Sequence, residues 1–131
     1  MTPKLALDTN AYRALGDGNT KLSKYVKSTT QLGLPIIVLG ELYYGIFLSG
    51  KRESNLLSLN RFLNIPRLEL LHINKDTSRL FGEIATELRK KGEPIQQDDM
   101  WIAALCKQHG YTLATADKVF IDIDGLELLS F

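Results

Sequence analysis

Apolar positions along the chain follow two alternating patterns. Short, mostly apolar runs, at Lys4 to Leu7, Pro35 to Leu39, Leu68 to Ile73, Thr112 to Thr115 and Glu127 to Ser130, have the look of strands. Between them apolar residues recur at three and four positions, the spacing that lines one face of a helix. The clearest helix is Lys75 to Lys91, where Leu80, Phe81, Ile84, Ala85 and Leu88 share a face. Arg89-Lys90-Lys91 fill its last turn and Gly92 stops it. Further helices read at Thr9 to Leu15, Asn19 to Gln31, Gly40 to Ser49, Ser54 to Leu63 and from about Gln97 to His109. Each is closed by a nearby glycine or proline. Runs that alternate with helical segments predict an α/β sandwich built from βα units. At 131 residues the chain is read as one domain, 1–131.

The strand ends carry the chemistry. Asp8 follows the first run, Glu41 the second and Asp117 the fourth, while Asp98-Asp99 open the stretch from Met100 to His109. In a parallel sheet these ends share one edge, where open α/β sheets bind ligands. Each acid alone has an ordinary explanation. Asp8 and Asp98-Asp99 could cap helices, Glu41 could complement a helix dipole, and Asp117 could sit in a turn. Together they crowd like charge into a small space, which calls for a cation or raised pKa values. Oxygen-only donors suit Mg²⁺, with Mn²⁺ as a substitute, and such a site suits phosphodiester hydrolysis. The two histidines are too few and too badly placed for zinc, and His72, inside an apolar run, reads as structural or edge-exposed.

A net charge of +1 names no partner, but its distribution says more. Lys21, Lys24 and Lys27 form one helical stripe, and Lys51-Arg52 and Arg89-Lys90-Lys91 make further basic clusters. These are either solvated faces or contacts to a polyanion. The single cysteine, Cys106, lies in an apolar helical stretch and reads as a buried thiol, with His109 three residues on as its one conceivable partner. No apolar run is long enough for a membrane span. Met1-Thr2-Pro3 lead into the first strand without a signal segment, so a cytoplasmic location is expected.

Four motifs in order then resemble one family. They are Asp8-Thr9-Asn10, Glu41-Leu42-Tyr43-Tyr44-Gly45, Asp99-Met100-Trp101-Ile102-Ala103-Ala104 and Leu113-Ala114-Thr115-Ala116-Asp117, within a likeness that runs from Lys4 to Phe131. They look like the PIN-domain ribonucleases, most closely the VapC-type toxins of bacterial toxin–antitoxin pairs. The resemblance implies a three-layer α/β/α sandwich with a central, mostly parallel sheet, and a Mg²⁺-dependent endoribonuclease. Its acid quartet maps to Asp8, Glu41, Asp99 and Asp117, with Thr115 supplying a hydroxyl and Asn10 orienting the cluster. Asp98 stands where the family often has asparagine, and a helix cap is its expected role. The implied partners are an RNA substrate and a VapB-like antitoxin whose C-terminal segment covers the acids. Surplus apolar residues at Tyr43, Tyr44, Phe47, Leu48, Leu56, Leu57 and Phe62 suggest a homodimer or a groove for a partner helix.

Two other classes compete. A phosphoacceptor domain of the dehalogenase type needs a second Asp two residues after the first, where this chain has Asn10, and a receiver wants a differently placed Lys. A PIN domain that only binds RNA or protein would have lost acids, and none is missing.

Overall fold

Five parallel strands run in the order β3-β2-β1-β4-β5, with β1 at the centre, in the computed structural model, which describes residues 3–131. Met1 and Thr2, read above as leading into the first strand, lie outside the described residues. The strands are β1 (Lys4–Leu7), β2 (Gln31–Pro35), β3 (Leu68–Leu71), β4 (Thr112–Ala114) and β5 (Leu128–Leu129). The helices are α1 (Thr9–Gly16), α2 (Thr20–Ser28), α3 (Ile36–Leu48), α4 (Arg52–Leu63), α5 (Lys75–Lys91) and α6 (Gln97–His109), with a 3₁₀ turn at Lys118–Asp122. This is the expected three-layer α/β/α sandwich. The chain builds β1 to β3 toward one edge, then returns to add β4 and β5 on the other side of β1. The order therefore reverses between β1 and β4, the place where such sheets open a crevice at their carboxyl ends.

Central position explains the composition of β1: Leu5, Ala6 and Leu7 are fully buried, as are Leu32 and Leu34 of β2 and Leu113 of β4. α6 buries Ile102 through Cys106 in one unbroken stretch. α5 begins with a capping box between Asn74 and Thr77 and ends at Gly92, whose φ of 71° is the left-handed conformation that glycine adopts without strain. No helix among the described residues is long and apolar enough to cross a membrane.

The second strand is displaced from its expected place. Ile36-Ile37-Val38-Leu39 begin α3, and the strand is the preceding Gln31–Pro35, so the helix expected to run to Gln31 stops at Ser28. An apolar run of this length reads equally as strand or buried helix. What decides is Pro35, whose φ of −58° is the N-cap of α3, and the burial of Val38, Leu42 and Ile46 at helical spacing. Gly33, expected as a helix stop, is buried mid-strand under the Tyr111 ring, where a Cβ would lie 2.7 Å from Cε2. As a result, Glu41 belongs to the second turn of α3 rather than to its first turn just past a strand.

The cap assigned to Asp98 is also corrected. Gln96 is the N-cap of α6, and no side chain caps that helix end. Asp98 and Asp99 both lie inside its first turn. The third strand is shorter than expected and leaves His72 exposed beyond it, consistent with an edge position.

Candidate active site

Asp8 is delivered by the end of β1 and doubles as the N-cap of α1, its Oδ1 accepting from the Ala11 N–H at 2.7 Å. Its other oxygen, Oδ2, accepts from the Thr115 hydroxyl at 2.5 Å. Thr115 in turn accepts from the Asp117 N–H at 3.0 Å, and Asp117 caps the 3₁₀ turn by accepting from the Val119 N–H at 3.1 Å. A hydrogen-bonded line therefore joins the carboxyl ends of β1 and β4 across the reversal point of the sheet. From the other side, Thr9 donates to Glu41 Oε1 at 2.9 Å, which ties α1 to α3.

Asp8, Asn10, Glu41, Asp99 and Asp117 line one cleft of about 510 Å³, together with Thr9, Arg13, Tyr44, Gln96 and others. Thr115, almost fully buried, supports the cleft from below. Asp98 does not line it. A second cleft of about 470 Å³, walled by Pro94, Ile95, Gln96 and Val119, shares Asp99 and Asp117, so these two acids stand where the clefts meet. Asn10 interacts with Asp8 through its backbone N–H, which helps hold the carboxylate in its charged form.

Electrostatics mark the cluster as short of positive charge. Asp99 is pushed up to about 6, first by burial and then by repulsion from Asp117, Glu41, Asp8 and Asp98. Burial also raises Asp8, aided by Asp117 and opposed by the Thr115 and Ala11 hydrogen bonds. Glu41 is raised by burial and by Asp98 and Asp8, against the lowering effects of Thr9 and Arg13. Among the described residues, no group of three or more acids, histidines or cysteines is drawn together tightly enough to hold a metal ion as the side chains stand. The donor chemistry still fits a hard divalent cation, since every ionisable group facing the site except Arg13 and the Tyr44 phenol is a carboxylate.

Arg13 is the site residue that sequence reasoning missed. The basic clusters at Lys21, Lys24 and Lys27, at Lys51-Arg52 and at Arg89-Lys90-Lys91 line neither cleft. Arg13 does, from α1, one turn after Thr9. That i, i+4 spacing from a residue of the Asp-Thr-Asn opening was the available signal. Cys106 is fully buried and its thiol is pushed up by burial, which leaves it inert rather than nucleophilic.

With this geometry in place, the fold and the cleft define the class. A PIN-domain family model matches residues 5–126, and the chain belongs to that family. It is a PIN domain of the VapC type. Ribonuclease VapC2 of Rickettsia felis is 37% identical over 98 residues, which span 74% of this chain and 72% of the relative. A tRNA(fMet)-specific endonuclease VapC of Salmonella typhimurium is 29% identical over 128 residues, spanning 95% of this chain and 96% of the relative. Among solved structures, VapBC2 from Rickettsia felis, bound to a DNA fragment from its promoter, matches with a TM-score of 0.86 at 30% identity over 98% of both chains.

Proposed function

We propose that this protein is a Mg²⁺-dependent endoribonuclease, with Mn²⁺ as an alternative ion, acting in the cytoplasm as the toxin of a toxin–antitoxin pair. The observation that carries the reading is the convergence of Asp8, Glu41, Asp99 and Asp117, from four separate elements, on one cleft where burial and neighbouring carboxylates raise Asp8, Glu41 and Asp99. Asp8, Asp99 and Asp117 would hold the metal. When bound, Mg²⁺ lowers the pKa of an attacking water and neutralises the phosphoryl oxygens.

The chain's own groups supply positioning and proton transfer. Thr115 and the Ala11 N–H fix the orientation of Asp8, and Thr9 fixes that of Glu41. Glu41, with its raised pKa, either shares the metal or takes the proton of the water that attacks phosphorus in line with the departing 3′ oxygen. The products carry 5′-phosphate and 3′-hydroxyl ends, and no 2′-OH attack is needed.

An antitoxin partner is supported by the VapBC complex among the structural relatives. A groove of about 650 Å³ between α1, α3 and α4, lined by Tyr12, Leu42, Ile46 and Phe62, has room for a partner segment. Of the apolar surplus read from the sequence, Phe62 is buried, whereas Tyr44, Phe47, Leu48 and Leu57 remain exposed and suit an antitoxin or a homodimer contact. The test is cleavage of total RNA by pure protein, with RNA ends sequenced, in Mg²⁺ and in excess chelator. Cleavage in Mg²⁺ alone, growth arrest on induction and rescue by the cognate antitoxin are expected. Undiminished cleavage in chelator would exclude the mechanism.

A further inference from the structure

Arg13 and Gly45 form a unit that the acid cluster does not explain. Arg13 lines both the acid cleft and the groove between α1, α3 and α4, and Gly45 lines both beside it. Gly45 sits inside α3, where glycine is an unfavourable residue. A Cβ there would stand 2.9 Å from Arg13 Nη2, so the missing side chain is what lets the guanidinium lie against α3. By contrast, a Cβ at Gly40 of the same helix would have nothing within 4 Å, so close approach of a side chain is particular to Gly45.

The Arg13 guanidinium makes no hydrogen bond or ion pair among the described residues, although Glu41 is near enough to feel its charge. A solvent-accessible cation beside carboxylates, yet unpaired with them, keeps its five donors free for an incoming anion. The acids shared by the two clefts, Asp99 and Asp117, mark where a scissile phosphate would lie, and Arg13 stands along the first cleft from them. The second cleft offers Pro94, Ile95 and Val119, apolar residues with no cation among its lining. Arg13 is thus the one cation that lines either cleft among the described residues.

We propose that Arg13, seated by Gly45, binds a phosphate of single-stranded RNA next to the scissile one and so sets the register of the strand over the acids. This rests on the nuclease reading above for the identity of the scissile position. Arg13 is a substrate-binding residue, and Gly45 is a positioning residue that acts through it.

The test is made first on Asp99→Asn protein, so that binding is read without cleavage. Anisotropy of a fluorescein-labelled single-stranded RNA is measured in Mg²⁺ over a range of KCl concentrations. Adding Arg13→Ala should weaken binding by about tenfold, the size of one charge-assisted contact. It should also flatten the slope of log K against log salt by about 0.7, one phosphate contact to a single strand. Arg13→Lys should keep the slope and lose part of the affinity. Gly45→Ala should weaken binding in the same way while Tm holds or rises, because alanine is the better helix former and the guanidinium is free to swing aside. Arg13→Ala and Gly45→Ala together should lose no more than Arg13→Ala alone. In the cleaving protein, Arg13→Ala should raise KM more than it lowers kcat.

Unchanged affinity and slope in Arg13→Ala would overturn the proposal. So would loss of poly-glutamate binding with RNA binding intact, which would give Arg13 to an acidic protein partner. If the wild-type chain fails to cut RNA while Arg13→Ala still weakens RNA binding with the flatter slope, the nuclease reading falls and the phosphate contact stands.

Discussion

Thr115 donates its hydroxyl to Asp8 at 2.5 Å, bridging the carboxyl ends of β4 and β1 at the point where the sheet changes direction. Both residues are nearly buried, and the same hydroxyl accepts from the Asp117 N–H. One small side chain therefore sets the spacing of two of the four acids.

Thr115→Val keeps the shape and removes both hydrogen bonds. It leaves a buried carboxylate oxygen and a backbone N–H without these partners, at a cost of about 1–3 kcal/mol. Thermal unfolding should show the loss, and cleavage should fall with it. Thr115→Ser restores the hydroxyl and should recover most of both. Full activity and unchanged Tm in Thr115→Val would refute the bridging role.

The acids at strand ends were legible because the pattern is local. Asp8 and Asp117 each follow a short apolar run closely, and the parallel sheet brings those ends together. Glu41 was legible as a residue but not as geometry. Ile36 to Leu39 satisfies strand and helix patterns alike, and what places the strand before it, Gly33 packed beneath Tyr111, joins positions far apart in sequence. Arg13 was marked only by its i, i+4 spacing from Thr9, a weak signal. A lone arginine in a short helix reads as a solvated face, and its place at the cleft depends on a glycine in a different helix.

Gly33→Ala should test that long-range contact. The added methyl would meet the Tyr111 ring at under 3 Å, and Tyr111 is held from moving by its hydroxyl's hydrogen bond to Glu69 Oε1 at 2.6 Å. Overpacking of this kind costs about 1–3 kcal/mol. Denaturant unfolding should show the midpoint fall, with partial recovery when Tyr111→Leu is added to shrink the ring.

Metal-free stability should depend on pH through the acid cluster. Asp8, Glu41 and Asp99 are all raised in the folded state, Asp99 to about 6. A carboxyl with a raised folded pKa stabilises the fold when protonated, fully below its unfolded value of about 4, and that contribution is lost as pH rises through the folded pKa. In chelator, Asp99→Asn should therefore melt above wild type at pH 7.5, with the difference narrowing as pH falls through about 6 and closing only below about 4. Excess Mg²⁺ should stabilise wild type and reverse the order, because the ion binds the charged form of the folded state. A Tm difference that is flat across this pH range would contradict the repulsion on which the metal site rests.

Asp98 and Asp99 give the sharpest separation of roles. Both lie in the first turn of α6, so both interact favourably with the helix dipole, by about 0.3–1 kcal/mol each. Only Asp99 faces the clefts, and it lines both. Asp98 is exposed, caps nothing, and acts on the site from a distance by repelling Glu41 and Asp99. Asp98→Asn gives up a dipole interaction and relieves that repulsion, two small effects of opposite sign. Its Tm should stay within a degree or two, equivalent to about 0.5 kcal/mol or less, and most cleavage should survive. Asp99→Asn removes a charge at the junction of the two clefts, and cleavage should vanish without loss of fold. Inactive Asp98→Asn alongside active Asp99→Asn would reverse the assignment and move the third acid of the site by one residue.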